Sequence, residues 1–207
     1  MGVLGDALRL GRRLRRGEIT QTQWQDMIVP LMQSVNADEL AAAVELELLR
    51  RRTPRATRGA AVQRVARIDE LEHDEGAAVR VFFFGAGRTD PPHCHFNSVT
   101  AHMVLSGTSR VRHYERLREE PGRFILRSSR DRRIGPGEIT SISELRENAH
   151  WHAAVTDGVL LDVEQGRLDP TRPIRRRQMV DPTTTPLADG SIVAPSLTYA
   201  EALRRFG

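Results

Sequence analysis

Hydrophobic positions follow two different spacings along this chain of 207 residues, and the change falls near residue 60. Before it, apolar residues recur every three or four positions, the spacing of one face of an α-helix. After it, apolar residues come in short runs that glycine, proline and charged residues interrupt, as in β-strands and their turns. The pattern predicts a helical N-terminal region followed by a β-rich region.

Three amphipathic helices are predicted within residues 3–48. The second carries Trp24, interpreted as a packing residue, and Pro30 is expected to kink this helix or divide it in two. Asn36 and Glu39 form the pattern of a capping box at the start of the third. Helices this short are marginal without tertiary packing, so their apolar faces are expected to cover the β-rich region or a second subunit.

Nine short β-prone segments follow between residues 61 and 166. No helix of useful length separates them, which excludes parallel βαβ layering and favours an antiparallel sandwich or small barrel. The remaining tail is rich in turns and is interpreted as a strap over the barrel, ending in a short helix capped by Thr198 and Glu201. The predicted organisation is therefore a helical extension (1–58), a barrel (60–168) and a C-terminal strap with its helix (169–207).

Histidines concentrate in two stretches of the β-rich region. In PPHCHFNSVTAHMVLSG, His93 and His95 are two positions apart, so on a strand both side chains point to the same face and can bind one ion. His102 follows seven residues later, and His150 and His152 form a second pair in ENAHWHAAV. A ligand from a second, distant stretch is what completes a metal site on a strand pair. The spacing of these histidines therefore predicts a metal centre.

Composition narrows the classes of partner. All 31 basic residues are arginine, but 27 acidic residues are interspersed with them and the net charge is only +4, which disfavours a nucleic-acid groove. Cys94 is the single cysteine, which excludes an intramolecular disulfide and fits a reducing compartment. The chain has no secretory apolar segment and no apolar run of about 18 residues, so we expect a cytoplasmic protein without a membrane partner.

Residues 77–165 resemble the two motifs of the cupins, a family with a double-stranded β-helix, or jelly roll. The resemblance implies a mainly β cupin jelly roll with an N-terminal α-helical extension and a short C-terminal helix. His93 and His95 match the first two metal ligands of the family, and His150 matches the last. Pro136 and Gly137 match the turn before the second motif. Because cupin sheets commonly pair, the resemblance also favours a homodimer.

One position departs from the cupin pattern. The family's glutamate ligand falls on Thr100, a poor ligand, so the implied set is three neutral histidines, as in the thiol and diketone dioxygenase branches. His102 shares the face of Thr100, either as a fourth ligand or as a hydrogen-bond donor to bound substrate or water. His152 is expected to line the pocket or to be exposed. The expected cofactor is a divalent metal ion. Fe(II) is the first choice for the implied three-histidine set, and histidines also bind Zn, Ni, Mn or Cu.

The predicted catalytic residues are His102, Tyr114 and Arg112. Arginines on the strand after Gly107 could clamp an anionic substrate, or alternatively pair with glutamates on the outer surface. The thiol dioxygenases carry a Ser-His-Tyr relay on a late strand, whereas GVLLDVEQG has acidic residues there, which argues against a cysteine-type substrate.

The leading functional hypothesis is a mononuclear Fe(II) dioxygenase acting with O2 on a small polar or anionic metabolite. A non-oxidative metal-dependent lyase or isomerase, and a non-catalytic cupin that binds a small ligand, remain the alternatives.

Overall fold

The computed structural model describes residues 2–53, 56, 58–65, 76–172 and 177–207. Four helices come first within these residues: α1 (Val3–Arg15), α2 (Gln21–Gln33), α3 (Ala37–Ala43) and α4 (Leu46–Arg52). The strands are β1 (Ala61–Arg64), β2 (Ala77–Phe84), β3 (Thr89–His95), β4 (Ser98–Ser106), β5 (Ser109–Glu120), β6 (Arg123–Ile134), β7 (Ile139–Ser143), β8 (Ala149–Ala154), β9 (Gly158–Gly166), β10 (Arg177–Val180) and β11 (Ile192–Leu197). Helix α5 (Tyr199–Phe206) is the last element.

The strands form two antiparallel sheets with jelly-roll connectivity. One sheet, here the helix-covered sheet, has the order β1-β2-β9-β4-β7, and the other, here the ring sheet, contains β3-β8-β5-β6. Each successive strand from β2 to β5 crosses to the opposite sheet, and β6 to β9 return in the same way, which is the double Greek key of a jelly roll. The predicted fold is confirmed. All nine predicted segments form strands, although the end of the first lies outside the described residues.

The tail is more than the predicted strap, because two of its segments are strands. β10 pairs with β3, with Met179 opposite His93, and β11 pairs with β6. With β10 and β11 paired to each other, the ring sheet closes on itself into six strands. The capping box of Thr198 and Glu201 begins the final helix as predicted.

The N-terminal helices pack on the outer face of the helix-covered sheet. Trp24 has no exposed surface and belongs to one apolar cluster with strand residues such as Met103 and Leu161, so its interpretation as a packing residue is confirmed. The Gln25 side chain also donates from Nε2 to the Ser141 carbonyl at 3.0 Å, which ties α2 to β7. The helices cover the side chains on one face of the helix-covered sheet. The side chains on its other face point toward the ring sheet.

Two local expectations about the helices need correction. Pro30 lies inside α2, which is continuous, so of the two expected outcomes, a kink or a division, the division is wrong. The predicted third helix is divided instead, because Val44 ends α3 and Glu45 adopts a left-handed conformation (φ 51°) before α4. Half of the expected capping box is present, since Asn36 Oδ1 accepts from the Glu39 amide at 2.8 Å. The Glu39 carboxylate accepts from the Asn36 side-chain amide at 3.2 Å instead of from the Asn36 backbone. No helix in the described ranges is both long and apolar enough to cross a membrane.

Candidate metal centre

Three histidines of the ring sheet bring their Nε2 atoms together in the barrel interior. β3 and β8 are neighbours, and His93 lies directly opposite His150 in their register. The Nε2 of His93 is 2.9 Å from that of His95 and 2.9 Å from that of His150, and the His95 and His150 atoms are 3.2 Å apart. The structure therefore places the three predicted ligands around one point.

The spacing of these nitrogens fits a shared metal ion. Nitrogens bound at 2.0–2.1 Å are about 2.9 Å apart at right angles and about 3.4 Å apart in a tetrahedron. The His93 Nδ1 lies 2.7 Å from the Pro91 carbonyl, which can only accept, so this nitrogen carries the proton of the neutral ring. Its Nε2 then presents a lone pair to the centre, and a cation is the natural partner for three such nitrogens.

Burial keeps these imidazoles neutral. Desolvation lowers the pKa of His93 to about 4 and holds the pKa values of His95 and His150 well below the ordinary value of 6.5. Neighbouring histidines lower the values for His95 and His150 further, since two charged rings would repel each other. Neutral rings are the form that binds a metal, so the electrostatics agree with the geometry.

Carboxylates reach the interior from the helix-covered sheet, although none stands at position 100. The Thr100 hydroxyl donates to Asp162 on the adjacent β9. Arg80 on β2 donates to Asp162 at 2.8 Å and also to Glu164. Both carboxylate side chains are nearly inaccessible, at 2% and 8% exposure. The acidic charge that the cupin glutamate would supply thus lies one strand away, balanced in part by an arginine.

His102 and His152 also point into the interior, beside His150. The centroid of the His102 ring lies 5.0 Å from that of His150 and 4.8 Å from that of His152. His152 is 2% exposed, so of its two expected placements, lining the pocket or lying exposed, the exposed one is wrong. His102 Nε2 lies 3.5 Å from Asp162 Oδ1, which places this ring between the carboxylate and the histidine cluster.

Tyr114 and Arg112 are not brought to this cluster. Tyr114 lies opposite Ala149 in the register of β5 and β8, on the other face of the sheet from His150, and packs inside the closed ring. Burial there raises its pKa to about 12. Arg112 lies 4.2 Å from the centre of the Trp151 ring, also on that face. Both predicted catalytic positions are therefore corrected: strand alternation turns the two side chains away from the histidines.

Two residues of the interior, His113 and Arg177, were not predicted from the sequence. His113 lies directly opposite His150, is fully buried, and hydrogen-bonds through Nδ1 to Glu147 at 2.9 Å. Arg177 on β10 lies opposite His95, so the two side chains share a side. His113 could have been found from the sequence, because it is adjacent to Tyr114 on a predicted strand and therefore points to the opposite face. Arg177 could not, because its position depends on a strand that was not predicted within the tail.

Cys94 alternates to the opposite face from the histidines and packs with Tyr114 in the closed ring. It is not a candidate ligand. The histidine cluster supports a site for a divalent metal made of imidazole nitrogens alone, with carboxylates close behind it.

Comparisons with known proteins bear on the fold. No protein-family model and no curated protein sequence matches the chain. Among solved structures, KdgF from Halomonas sp. shares 20% identity over 58% of this chain and 90% of that one, with a TM-score of 0.39. Oxalate decarboxylase from Bacillus subtilis shares 20% identity over 60% of this chain and 29% of that one, with a TM-score of 0.42.

A cupin superfamily protein from Desulfitobacterium hafniense shares 12% identity over 54% of this chain and 83% of that one, with a TM-score of 0.38. The chain thus spans less than a third of the oxalate decarboxylase. These likenesses are distant, and the strand order and register establish the jelly roll without them.

Proposed function

We propose that this chain is a metal-dependent enzyme of the cupin type, an Fe(II) dioxygenase that acts with O2 on a small anionic metabolite. The observation that carries the proposal is the convergence of three buried, neutral histidine Nε2 atoms within 3.2 Å of one another. An all-imidazole set suits Fe(II) among the divalent metals, and three protein ligands leave coordination positions free.

The ligand set has a consequence for the substrate. Three neutral histidines leave the full charge of a divalent ion uncompensated by its own ligands, which favours an anion beside it. When bound, Fe(II) supplies adjacent coordination positions at which two reactants can meet. The protein's part is to hold the ligand rings in one protonation state and to exclude water from the interior.

Arg177 is the residue proposed to bind the anionic substrate. It shares a side with His95, and its side chain is 30% exposed, so it lies between the cluster and solvent. Its partner is Asp90 at 3.8 Å, a long ion pair that a substrate carboxylate could replace. Arg80 is a poorer choice, because its Nη1 already donates to both Asp162 and Glu164.

Burial of the ligands favours a second candidate function, a cupin that binds a small ligand without catalysis. His93, His95 and His150 are at most 2% exposed, so a reactant reaches them only if the barrel opens. A non-oxidative lyase or isomerase would use the same three ligands. The candidates differ in whether free positions on the ion are accessible to a diatomic molecule.

The test uses nitric oxide as a stand-in for O2. Protein freed of metal is loaded anaerobically with Fe(II), exposed to nitric oxide, and examined by EPR, before and after addition of simple carboxylates. The dioxygenase proposal expects an iron–nitric oxide signal, abolished in His95→Ala and altered by carboxylate in the parent protein but not in Arg177→Met. Iron binding without such a signal would contradict the dioxygenase and favour the binding protein. Gln178→Met serves as the control, because Gln178 is next to Arg177 on β10 but its side chain points to the opposite face, on the side of Cys94.

A homodimer in the cytoplasm is part of the same proposal. Met27 on α2 remains 39% exposed while Trp24 and Ile28 on the same helix are buried against the barrel. The exposed methionine and its neighbour Leu31 are the proposed contact, and the mass of Met27→Glu in solution tests it. A dimer that persists unchanged in this variant would refute the contact.

A further inference from the structure

The barrel interior holds more histidine than one metal ion needs. Beside the three proposed ligands lies a second group of three, His102, His150 and His152, whose potential ligand atoms all lie within 4.8 Å of one another. The three residues are between 1% and 4% exposed. His150 belongs to both groups, because its ring stands between β3 on one side and His102 and His152 on the other.

Ring nitrogens in this second group have no partner within the described residues. These are Nδ1 of His102, Nδ1 of His150 and both nitrogens of His152. A buried polar atom without a partner costs about 1–3 kcal/mol, so a native barrel is not expected to keep several such atoms together unless something binds them. Lone pairs on converging imidazoles are the donor set of a transition-metal ion.

The ring spacing fits an ion. Three imidazoles bound to one ion at 2.0–2.1 Å have ring centroids about 4.5–5.2 Å apart. The measured separations are 5.0 Å between His102 and His150, 4.8 Å between His102 and His152, and 5.0 Å between His150 and His152.

Charge and orientation point the same way. Asp162 Oδ1 lies 3.5 Å from His102 Nε2, so the carboxylate is beside one ring nitrogen and the other, Nδ1, is the one without a partner and available to a metal. Behind His102, two carboxylates, Asp162 and Glu164, share the single guanidinium of Arg80. When both are ionised, the group has one negative charge in excess, which a neighbouring cation would balance.

We propose that His102, His150 and His152 form a second metal site, for a divalent ion of the zinc or copper type, and that His150 bridges it to the first. The Nε2 of His150 faces His93 and His95, which leaves its Nδ1 for the second ion. Because a neutral imidazole has only one lone pair, binding of the second ion displaces the remaining ring proton of His150 to solvent, and the ring bridges the two ions as an imidazolate. Two ions bound to opposite nitrogens of one ring lie roughly 6 Å apart, given bonds of about 2.1 Å. His102 is then neither a fourth ligand of the first ion nor a free donor, but a ligand of the second. This inference rests on the first site of the proposed function through the shared His150.

The experiment measures how many ions the protein holds. Protein freed of metal by a chelator is titrated with Cu(II), and bound copper per chain is measured after dialysis, with EPR on the same samples. The parent protein is expected to bind two ions whose EPR signal is weakened by coupling through the shared imidazolate. His152→Leu should retain one ion and show an uncoupled signal, His93→Ala should also retain one, and His150→Ala should lose both.

Trp151→Phe is the matched control, because its ring lies on the same strand but faces away from the cluster, and it should still bind two ions. The parent stoichiometry decides the matter even if a variant fails to fold. One ion per chain, lost in His93→Ala and kept in His152→Leu, would overturn the second site and leave the first intact. Two ions unaffected by His152→Leu would place the second elsewhere and also overturn the inference. No bound ion at all would overturn both sites.

Discussion

Replacing Arg80 with methionine tests how the interior holds its acidic charge. The guanidinium is 19% exposed and is shared by the side chains of Asp162 and Glu164, which are 2% and 8% exposed. Methionine keeps much of the volume but leaves two buried carboxylates without their cation. Breaking a buried pair by removing one partner costs about 3–5 kcal/mol, mostly because the remaining charge is uncompensated.

For a chain of this size, each kcal/mol lowers the melting temperature by about 2–4 °C, so Arg80→Met should lower it by roughly 6–20 °C. The assay is thermal unfolding followed by circular dichroism on protein freed of metal, which separates the ion pair from any metal effect. Arg110→Met is the control, since Arg110 pairs with Asp131 at 2.6 Å on the exposed surface and such pairs contribute little.

A second substitution sharpens the argument. Glu164→Gln removes one of the two carboxylates, so Arg80→Met combined with Glu164→Gln should melt higher than Arg80→Met alone. If Arg80→Met melted at the same temperature as Arg110→Met, the buried carboxylates would not depend on the guanidinium, and the account of this network would be refuted.

Four further predictions concern the metal, the core, the closed ring and the helices. His95→Ala should weaken metal binding more than about a hundredfold, measured by calorimetry, because even residues behind a ligand cost 10–100-fold; undiminished metal content would contradict the assignment. Trp24→Ala should lower the free energy of unfolding by about 3–5 kcal/mol in denaturant titration, since the side chain is fully buried, and a loss under about 1 kcal/mol would contradict its place in the core. Burial raises the pKa of Tyr114 from 10 to about 12, so its contribution to stability is complete below pH 10 and is lost as pH rises through 12, roughly 3 kcal/mol in all. The absorbance of tyrosinate in Tyr199→Phe reports on Tyr114 alone, and a titration midpoint near 10 would place its side chain in solvent. Deletion of residues 1–50 should make the protein insoluble because it uncovers the outer face of the helix-covered sheet. A truncated protein that stays soluble, metal-loaded and in the same oligomeric state would show the helices to be dispensable.

The local pattern of the sequence determined most of the elements. A strand's alternation and a helix's three-to-four spacing are properties of neighbouring residues, so the nine strands, the helical extension and the cap at Thr198 could be read without the fold. The shared face of His93 and His95 is equally local, since it follows from a separation of two along one strand.

Tertiary structure decided which side chains of separate strands face one another. Strand order and register decide which face of β5 lies against His150, and they place His113 beside the histidine cluster and Tyr114 inside the closed ring. The tail's two strands became visible only through their partners β3 and β6, because short segments gain their stability from pairing. The placement of Asp162 beside His102 is likewise a contact between strands far apart in the chain. Spacing along one strand therefore sufficed to find the first ligands, whereas the second histidine group and its carboxylates exist only where separate strands meet.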